Sequence, residues 1–330
     1  MTPAGGLSVV QGRQAMGREI AKVFRGDDRL IDWLTAALLA PGHVLLEDIP
    51  GVGKTLLAKA LARVVGGTFT RVQGTPDLVP ADLLGFSVYN PQDGQFSFHS
   101  GPIETNILLL DELNRASPRT QAALLQAMAE GEVSRDGQTR PLPRPFLVLA
   151  TENSIDFEGT FPLPEAQKDR FLMSFALGYP GRDAEASILT DLPFGTFASD
   201  RLQSVCTPDD LLRWQAEVSS VWASEKLVDY VLDLTDATRS EPGLRLGLSP
   251  RGAQALLRTG KALALVRGRT WVTPDDIREL FLPVAQHRVL AKAASLARGL
   301  TTEALLTAIL DRVPTPVGKE TAPSSGKQVS

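Results

Sequence analysis

Residues 48–55, with the sequence DIPGVGKT, include the residue types that bind phosphate groups. The segment matches G-x-x-x-x-G-K-[ST] at every defined position except the first, where Asp48 replaces glycine. Gly51 and Gly53 let backbone N–H groups face an anion, Lys54 can reach β- and γ-phosphates, and Thr55 can ligate Mg²⁺. An apolar strand precedes the segment and a helical pattern follows it, so we predict a phosphate-binding P-loop. The predicted nucleotide contacts here are Pro50, Gly51, Val52, Gly53, Lys54, Thr55 and Leu56.

Two acidic residues directly follow a second apolar run, ILLL at residues 107–110. Asp111 can hold the coordination shell of Mg²⁺, and Glu112 can polarise a water molecule for attack on a γ-phosphate. Taken alone, this pattern also fits a solvated strand end. The P-loop upstream favours the catalytic interpretation, with Thr55 and Asp111 as the metal ligands.

Two further polar residues fit the same chemistry less specifically. Asn153 follows the apolar run FLVLA and could orient the attacking water, although polar residues commonly end strands. Arg170 could neutralise charge that develops in the transition state, or it could form a surface salt bridge with Glu165. The residues alone leave both alternatives open.

The elements that must position these residues follow an alternating strand–helix pattern up to about residue 180. Continuous apolar runs indicate strands buried on both faces of a parallel sheet. Pairs such as Ser117-Pro118 and Thr273-Pro274 indicate capped helix starts. We therefore predict an α/β fold, with a parallel five-stranded sheet between helices and a smaller all-α domain after it. The candidate strands are residues 43–47, 68–73, 107–110, 146–150 and 171–175.

Composition excludes several classes of protein. The 330 residues carry 34 basic and 38 acidic side chains, and this net charge of −4 disfavours a nucleic-acid-coating surface. One cysteine and three histidines allow neither an intramolecular disulfide nor a Cys/His zinc cluster. The sequence has no apolar run of transmembrane length and no signal-peptide pattern, so we expect a cytoplasmic protein. Residues 1–15 are expected to be a flexible arm and residues 314–330 a disordered tail.

Taken together, these residues resemble the MoxR family of the AAA+ ATPase superfamily. The resemblance rests on several strings in the family's order and spacing, and Asp48 in the P-loop is common in that family. Four positions depart from the family pattern: Gly74, Leu113, Glu152 and Ser154. The strings are GHVLLEDIPGVGKT, QGTPDLVPADLLG, GPIETNILLLDELNRASPRTQAALLQAMAEGEV, LATENSIDFEGTFPLPEAQKDRF and LSPRGAQALLRTGKALALVRGRTWVTPDDI.

The resemblance implies a role for each matching residue. The P-loop becomes Walker A, Asp111 and Glu112 become Walker B, and Asn153 becomes sensor 1. Arg170 becomes an arginine finger that acts on the nucleotide of a neighbouring subunit, and Arg251 becomes sensor 2 from the lid. A cation in the first turn of a helix is electrostatically unfavourable, so Arg251 needs another reason such as a phosphate. A plain surface arginine is the alternative.

The resemblance also implies a domain organisation. An AAA+ core would cover residues 16–180 and an α-helical lid residues 181–313. Two insertions would interrupt the core, at about residues 86–100 and 133–145, and Gly94 and Asp136-Gly137 are suited to turning hairpins there. Such loops could contact a partner near a ring pore, or pack on neighbouring subunits.

The function implied by the resemblance is hydrolysis of Mg-ATP in a ring, with a hexamer expected, to remodel or activate a protein partner. A partner with a von Willebrand factor A domain is expected, in chaperone-like maturation or metal insertion. A magnesium-chelatase-like motor subunit is the alternative within this class. A nucleic-acid-stimulated motor is a second alternative, because Arg135, Arg140 and Arg144 make the second insertion basic. A nucleotide-gated scaffold without hydrolysis is a third, and the presence of every expected catalytic residue argues against it.

Overall fold

The computed structural model describes residues 7–49, 51–92, 94–135, 138–152, 159–191 and 201–316. Five of the positions singled out above lie outside these residues, as do the ends of the predicted arm and tail. The positions are Pro50, Asp136, Gly137, Asn153 and Ser154. The chain divides into two compact units, residues 1–215 and residues 216–330.

A five-stranded sheet forms the centre of the first unit, in the order β2-β5-β8-β1-β9. All four pairings are parallel, which confirms the predicted α/β fold. The side chains of the central strands are buried, as expected for continuous apolar runs in a sheet that is covered on both faces. Each of the five lies within two residues of its predicted position. The strands of the unit are β1 (Val44–Glu47), β2 (Phe69–Gln73), β3 (Gly85–Asn90), β4 (Gln95–Ser100), β5 (Ile107–Asp111), β6 (Glu132–Arg135), β7 (Gln138–Pro141), β8 (Leu147–Glu152) and β9 (Met173–Phe175).

The helices of the first unit carry the expected start signals. Ser117 caps α5 by accepting a hydrogen bond from the N–H of Thr120 at 3.3 Å. The helices are α1 (Val9–Ile20), α2 (Asp28–Leu39), α3 (Lys54–Val64), α4 (Pro80–Leu84), α5 (Pro118–Glu130), α6 (Glu165–Lys168), α7 (Arg182–Asp191) and α8 (Pro208–Val218), the last of which crosses the boundary between the units.

The structure departs from the predicted N-terminal arm, because α1 already begins at Val9. Ser8 and Gln11 form a capping box, and Val9, Met16 and Ile20 bury the apolar side of the helix. The segment is rich in glycine and polar residues, and this composition does not indicate a helix start at Val9. Only the helix packing reveals that these few apolar residues share one buried face.

Two antiparallel hairpins lie outside the five-stranded sheet, at the positions of the two predicted insertions. Strands β3 and β4 pair from Gly85↔Ser100 to Asn90↔Gln95, and β6 pairs with β7. The guanidinium of Arg140 on β7 lies 4.1 Å from the ring centroid of Phe98 on β4. A cation–π contact therefore joins the two hairpins.

The second unit is mainly helical. Its elements are α9 (Glu225–Ser240), β10 (Leu244–Leu246), α10 (Pro250–Val266), α11 (Pro274–Ala285), β11 (Leu290–Ala291), α12 (Ala293–Leu296) and α13 (Thr302–Arg312). The short antiparallel β10–β11 pair is an addition to the predicted helices. The predicted caps Ser249 and Thr273 begin α10 and α11.

The boundary between the units lies further along the chain than residue 180, where the sequence placed the end of the core. Hydrogen bonds hold the intervening segment to the first unit: the N–H of Val205 donates to the carbonyl of Val64 at 2.8 Å, and the side-chain amide of Gln215 donates to the carbonyl of Leu38 at 2.6 Å.

No helix in the described part of the chain has the length and apolar composition needed to cross a membrane.

Candidate active site

The sheet order brings the predicted site residues to one edge. Because β1, β5 and β8 are parallel neighbours, their carboxyl ends lie together. A cavity of about 450 Å³ opens there. It is lined by Gly51, Gly53, Lys54, Thr55, Leu56, Arg71, Gln73, Asp111, Glu112 and Thr151.

The P-loop turns sharply between β1 and α3. Gly51 and Gly53 have φ values of 88° and 95°, in the left-handed region that favours glycine. The ammonium of Lys54 donates a hydrogen bond to the backbone carbonyl of Asp48 at 2.9 Å. Burial lowers the pKa of Lys54 below its ordinary value, and the carboxylates of Asp48, Asp111 and Glu112 oppose that shift. The loop thus presents a partly desolvated cation, which interacts strongly with an anion.

Asp111 is held at the end of β5 by two neighbouring strands. Its Oδ1 accepts a hydrogen bond from the hydroxyl of Thr151 at 2.8 Å. Its Oδ2 forms an ion pair with Arg71, at 2.7 Å from Nη2 and 3.2 Å from Nε. The carboxylate therefore has a fixed orientation before any ligand arrives.

Glu112 has strained backbone geometry. Its φ of 56° makes it the one non-glycine residue with positive φ among the described residues. Its N–H donates to the Thr151 hydroxyl at 2.8 Å, and its Oε2 accepts hydrogen bonds from Gln73 at 2.9 Å and Arg115 at 3.2 Å. The turn and these two donors hold the carboxylate at the cavity.

Gly74 is needed for this arrangement. Its N–H donates to the carbonyl of Asp111 at 2.6 Å. A Cβ built at Gly74 would lie 2.2 Å from the carbonyl oxygen of Glu112. Only glycine lets β2 approach the acidic pair this closely, which accounts for one of the departures noted in the sequence.

A partly buried cluster of charged side chains connects the ends of β1 and β8 to α6. The ammonium of Lys168 lies 2.7 Å from Oε2 of Glu152 and 3.8 Å from Oε1 of Glu47. Burial raises the pKa of Glu152, and the charge of Lys168 acts in the opposite direction. The ends of β1 and β8 are thereby connected to the helix that precedes Arg170.

The structure brings some predicted site residues together and leaves others apart. Lys54, Thr55, Asp111 and Glu112 line one cavity. Arg170 is not among its lining residues, and its guanidinium donates to the carbonyl of Leu125 at 2.8 Å. Of two other predicted contacts, Leu56 lines both this cavity and the second cavity described below, and Val52 lines only the second. Arg251 lies in the first turn of α10 in the second unit, with an exposed side chain.

Sequence reasoning missed the residues that orient the acidic pair: Arg71, Gln73, Arg115 and Thr151. Arg71 and Gln73 alternate along β2, and β2 runs beside β5 with Gln73 opposite Asp111. Thr151 is the second-to-last residue of β8, and a hydroxyl directly after an apolar run was the signal available in the sequence. Recognising it required knowing that β8 neighbours β5.

A second, larger cavity of about 710 Å³ adjoins the P-loop. Its lining is mainly apolar side chains and glycines, with the charged residues Arg25 and Asp27. The two cavities share Gly51, Gly53 and Leu56. The remaining lining residues are Val23, Phe24, Gly26, Val52, Leu177, Gly178, Tyr179, Pro180, Gly181, Ala184 and Ile188. The shapes and polarities fit a nucleotide with its phosphates in the charged cavity and its base in the apolar one.

The donor atoms at the charged cavity fit a magnesium ion. Thr55 offers a hydroxyl and Asp111 a carboxylate, and Mg²⁺ prefers hard oxygen ligands. No cluster of three or more His, Cys, Asp or Glu residues suited to a metal occurs within the described ranges. Nucleotide-bound Mg²⁺ needs no such cage, because phosphates and water supply most of its ligands.

Comparison with known families and proteins identifies the family of the chain. Residues 43–173 match the family described as ATPase family associated with various cellular activities (AAA), and residues 236–309 match the AAA lid domain. The chain is 40% identical over 307 residues to Chaperone MoxR1 of Mycobacterium tuberculosis, covering 90% of this chain and 81% of that protein. It is 36% identical over 326 residues to Protein MoxR of Methylorubrum extorquens, covering 91% and 94%.

A solved structure agrees with the sequence relatives. The crystal structure of a proposed ATPase from Cytophaga hutchinsonii superimposes with a TM-score of 0.84 at 35% identity, covering 94% of this chain and 97% of that one. The resemblance noted from the motifs is therefore confirmed over most of the chain. This protein belongs to the MoxR family of AAA ATPases, and the activity of that family is the hydrolysis of ATP.

Proposed function

We propose that this protein uses Mg-ATP hydrolysis to remodel a protein partner in a chaperone-like manner. One observation carries the catalytic part: Lys54, Thr55, Asp111 and Glu112 line a single cavity at the carboxyl edge of the parallel sheet. The chaperone-like part rests on the likeness to Chaperone MoxR1. The presence of Glu112 in a hydrolytic family disfavours a scaffold that binds nucleotide without turnover.

The chain's own residues divide the work. The P-loop N–H groups and the Lys54 ammonium bind the phosphates, while Thr55 and Asp111 hold Mg²⁺. The bound ion supplies positive charge to the phosphate oxygens. Glu112 accepts a proton from the attacking water, and Gln73 and Arg115 keep its carboxylate in position.

The other predicted roles complete the proposal. Pro50, Val52 and Leu56 contact the nucleotide beside the glycines, and Asn153 orients water. Arg170 supplies positive charge to the nucleotide of a neighbouring subunit, and Arg251 acts from the lid on its own subunit. The bond from Arg170 to the Leu125 carbonyl shows that its guanidinium has a partner within the first unit. A guanidinium has five N–H donors, so this one hydrogen bond is compatible with the proposed role in trans.

We propose a homo-oligomeric ring, hexameric in its active form, with a client that contains a von Willebrand factor A domain. The β3–β4 hairpin is a candidate contact for the client. Phe96, Tyr89 and Phe86 on that hairpin are 71%, 52% and 47% exposed, and exposed aromatics mark interaction surfaces. The single cysteine supports a reducing compartment, and we place the protein in the cytoplasm.

A trap experiment tests the client proposal. The variant Glu112→Gln should bind ATP and lose turnover, because the amide accepts no proton. Loaded with ATP, it should retain the client from its own cell extract, and mass spectrometry would identify the client. Lys54→Ala, which lacks the phosphate-binding cation, is the control and should retain nothing. Nuclease-sensitive DNA or RNA held in place of protein would overturn the chaperone proposal in favour of a nucleic-acid motor.

A mixing experiment tests the action of Arg170 across subunits. Arg170→Ala and Lys54→Ala should each be inactive alone. Mixed rings should regain ATPase activity, since a Lys54→Ala subunit supplies the arginine to an intact P-loop in its neighbour. Mixtures that assemble, as shown by light scattering, and stay inactive would contradict the role in trans.

A further inference from the structure

Asp48, which replaces the first P-loop glycine, makes hydrogen bonds that no glycine could make. Its side chain is buried, with 8% of the residue exposed. Oδ1 accepts a hydrogen bond from the N–H of Ile49 at 2.8 Å. Oδ2 accepts two more, from the N–H groups of Leu177 at 2.6 Å and Gly178 at 3.1 Å. Three backbone donors therefore converge on one carboxylate, an arrangement typical of a built anchoring point.

These bonds continue a strand pairing beyond its end. Strands β1 and β9 pair in parallel up to Leu46↔Phe175, where the ladder stops. Two residues after Leu46, the Asp48 carboxylate accepts hydrogen bonds from the backbone N–H groups that follow β9, in place of a backbone carbonyl. In that chain Gly178 has a left-handed backbone conformation, with a φ of 72°. The carboxylate thus fixes the point at which the chain leaves the sheet.

The segment fixed in this way forms a wall of the apolar cavity. Leu177, Gly178 and the residues that follow, up to 181, line the 710 Å³ cavity but not the charged one. The hydrogen bond that holds the phosphate-binding Lys54 does not involve the Asp48 carboxylate. Lys54 donates to the backbone carbonyl of Asp48, a bond that any residue at position 48 can accept.

We propose that Asp48 is a positioning residue that attaches the wall of the apolar cavity to the P-loop, so that it governs binding of the base and sugar but not of the phosphates. This inference rests on the proposed nucleotide site. It gives a reason for an acidic side chain at a loop that binds anions. A buried carboxylate there repels phosphate, so its presence needs a compensating role, and the three backbone donors provide one.

The test compares a complete nucleotide with its phosphate part alone. Mg-ATP and Mg-tripolyphosphate would be titrated by calorimetry into the wild-type protein and into Asp48→Gly, which restores the P-loop consensus. We expect Asp48→Gly to weaken ATP binding by about ten-fold or more, since one charge-assisted hydrogen bond corresponds to about ten-fold and the substitution removes three. Tripolyphosphate binding should stay the same or become tighter, because a negative charge is removed. In steady-state kinetics, KM for ATP should rise more than kcat falls.

Asp48→Asn keeps an acceptor for the N–H groups of Leu177 and Gly178 and removes the charge, while its NH2 group replaces the oxygen that accepts from Ile49. Its carbonyl oxygen can accept from Leu177 and Gly178 but carries no charge, so ATP affinity should recover most of the loss seen in Asp48→Gly. Asp48→Ser serves if the glycine variant unfolds, since its shorter hydroxyl falls short of these donors and should behave like glycine. Hydrogen exchange of a peptide spanning residues 176–181 should be faster in the Gly and Ser variants than in the wild type and Asn.

Three results would overturn the inference. ATP affinity unchanged in Asp48→Gly would show that the wall needs no attachment. A parallel loss of ATP and tripolyphosphate affinity would place the effect at the phosphates. Equal behaviour of Asp48→Asn and Asp48→Gly would assign it to charge. A wild-type protein that binds neither probe would overturn the proposed function itself, and the two failures are thereby distinguished.

Discussion

The two cavities that meet at the P-loop are built on different principles. The 450 Å³ cavity is lined by charged and polar side chains such as Lys54, Asp111 and Glu112, each of which belongs to a short motif. The 710 Å³ cavity is lined mainly by apolar side chains and glycines from residues 23–27 and 177–188, where no motif stands out. Phosphate recognition depends on placed charges, whereas recognition of a flat base depends on shape and apolar area.

This difference predicts that mutations on the two sides can be separated by the ligand they affect. Removal of the phosphate-binding cation Lys54 from the charged cavity should weaken ATP and inorganic tripolyphosphate alike. A change in the apolar cavity should weaken ATP alone. The variants below test this separation in order of decreasing expected effect.

Lys54→Ala should produce the largest loss. It removes the ammonium that binds the phosphates, and the loss of two charge-assisted hydrogen bonds corresponds to about 100-fold or more in affinity. ATP and tripolyphosphate affinities, measured by calorimetry, should fall together. Lys59→Ala on the same helix, which lines neither cavity, is the control and should bind like the wild type. A variant that kept its tripolyphosphate affinity would refute the role of Lys54.

Phe24→Ala should weaken ATP by about ten-fold, within the range for loss of one aromatic stacking contact. The ring lies beside the P-loop, 3.4 Å from a Cβ built at Gly53. Tripolyphosphate affinity should stay the same, which is the sharpest contrast with Lys54→Ala. Phe161→Ala is the matched control, since this aromatic residue lines neither cavity. If Phe24→Ala weakened both ligands equally, the two cavities would act as one.

Arg71→Ala should have a smaller effect, on magnesium dependence. Arg71 pairs with Asp111, so its positive charge should oppose binding of a metal ion at that carboxylate. Exposed ion pairs contribute up to about 1 kcal/mol, so the Mg²⁺ concentration for half-maximal ATPase should fall by about two- to five-fold. Arg213→Ala breaks a pair of similar exposure with Asp210 and should leave this value unchanged. An increase would mean that Arg71 assists the metal.

The smallest expected effect is the change of ATP affinity with pH near neutrality. Because burial lowers the pKa of Lys54, its ammonium loses a proton at a lower pH than an ordinary lysine does. Affinity should therefore be constant below this lowered pKa and fall as the pH rises through it. Dissociation constants measured from neutral pH up to the ordinary lysine pKa of about 10.4 would measure the fall. Lys54→Arg stays charged over this range, so an equal fall in that variant would assign the titration to another group.

The sheet and its caps were predictable because their signals are local. Apolar runs such as ILLL in β5 can be recognised within a few residues, and a Ser-Pro pair fixes the start of α5. The start of α1 was missed because Val9, Met16 and Ile20 are spaced widely among polar residues. Packing decides that helix more than propensity does.

The predicted site was incomplete for a different reason. Thr151, Arg71 and Gln73 reach the acidic pair across neighbouring strands, and the neighbours follow the order β2-β5-β8-β1-β9. Adjacent strands in this sheet are separated by long stretches of chain. No spacing along the sequence encodes which pairs of strands touch.

The sequence alone determined the family, the P-loop and the acidic pair, because each is a short string whose residue types carry the chemistry directly. The tertiary structure alone decided how Asp111 and Glu112 are oriented, why Gly74 must be glycine, and where the apolar cavity lies. It also gave Asp48 a partner: the N–H groups of Leu177 and Gly178 reach its carboxylate only because β9 lies beside β1. The residue types determine the charges, whereas side-chain orientation and cavity shape arise from contacts between segments far apart in the chain.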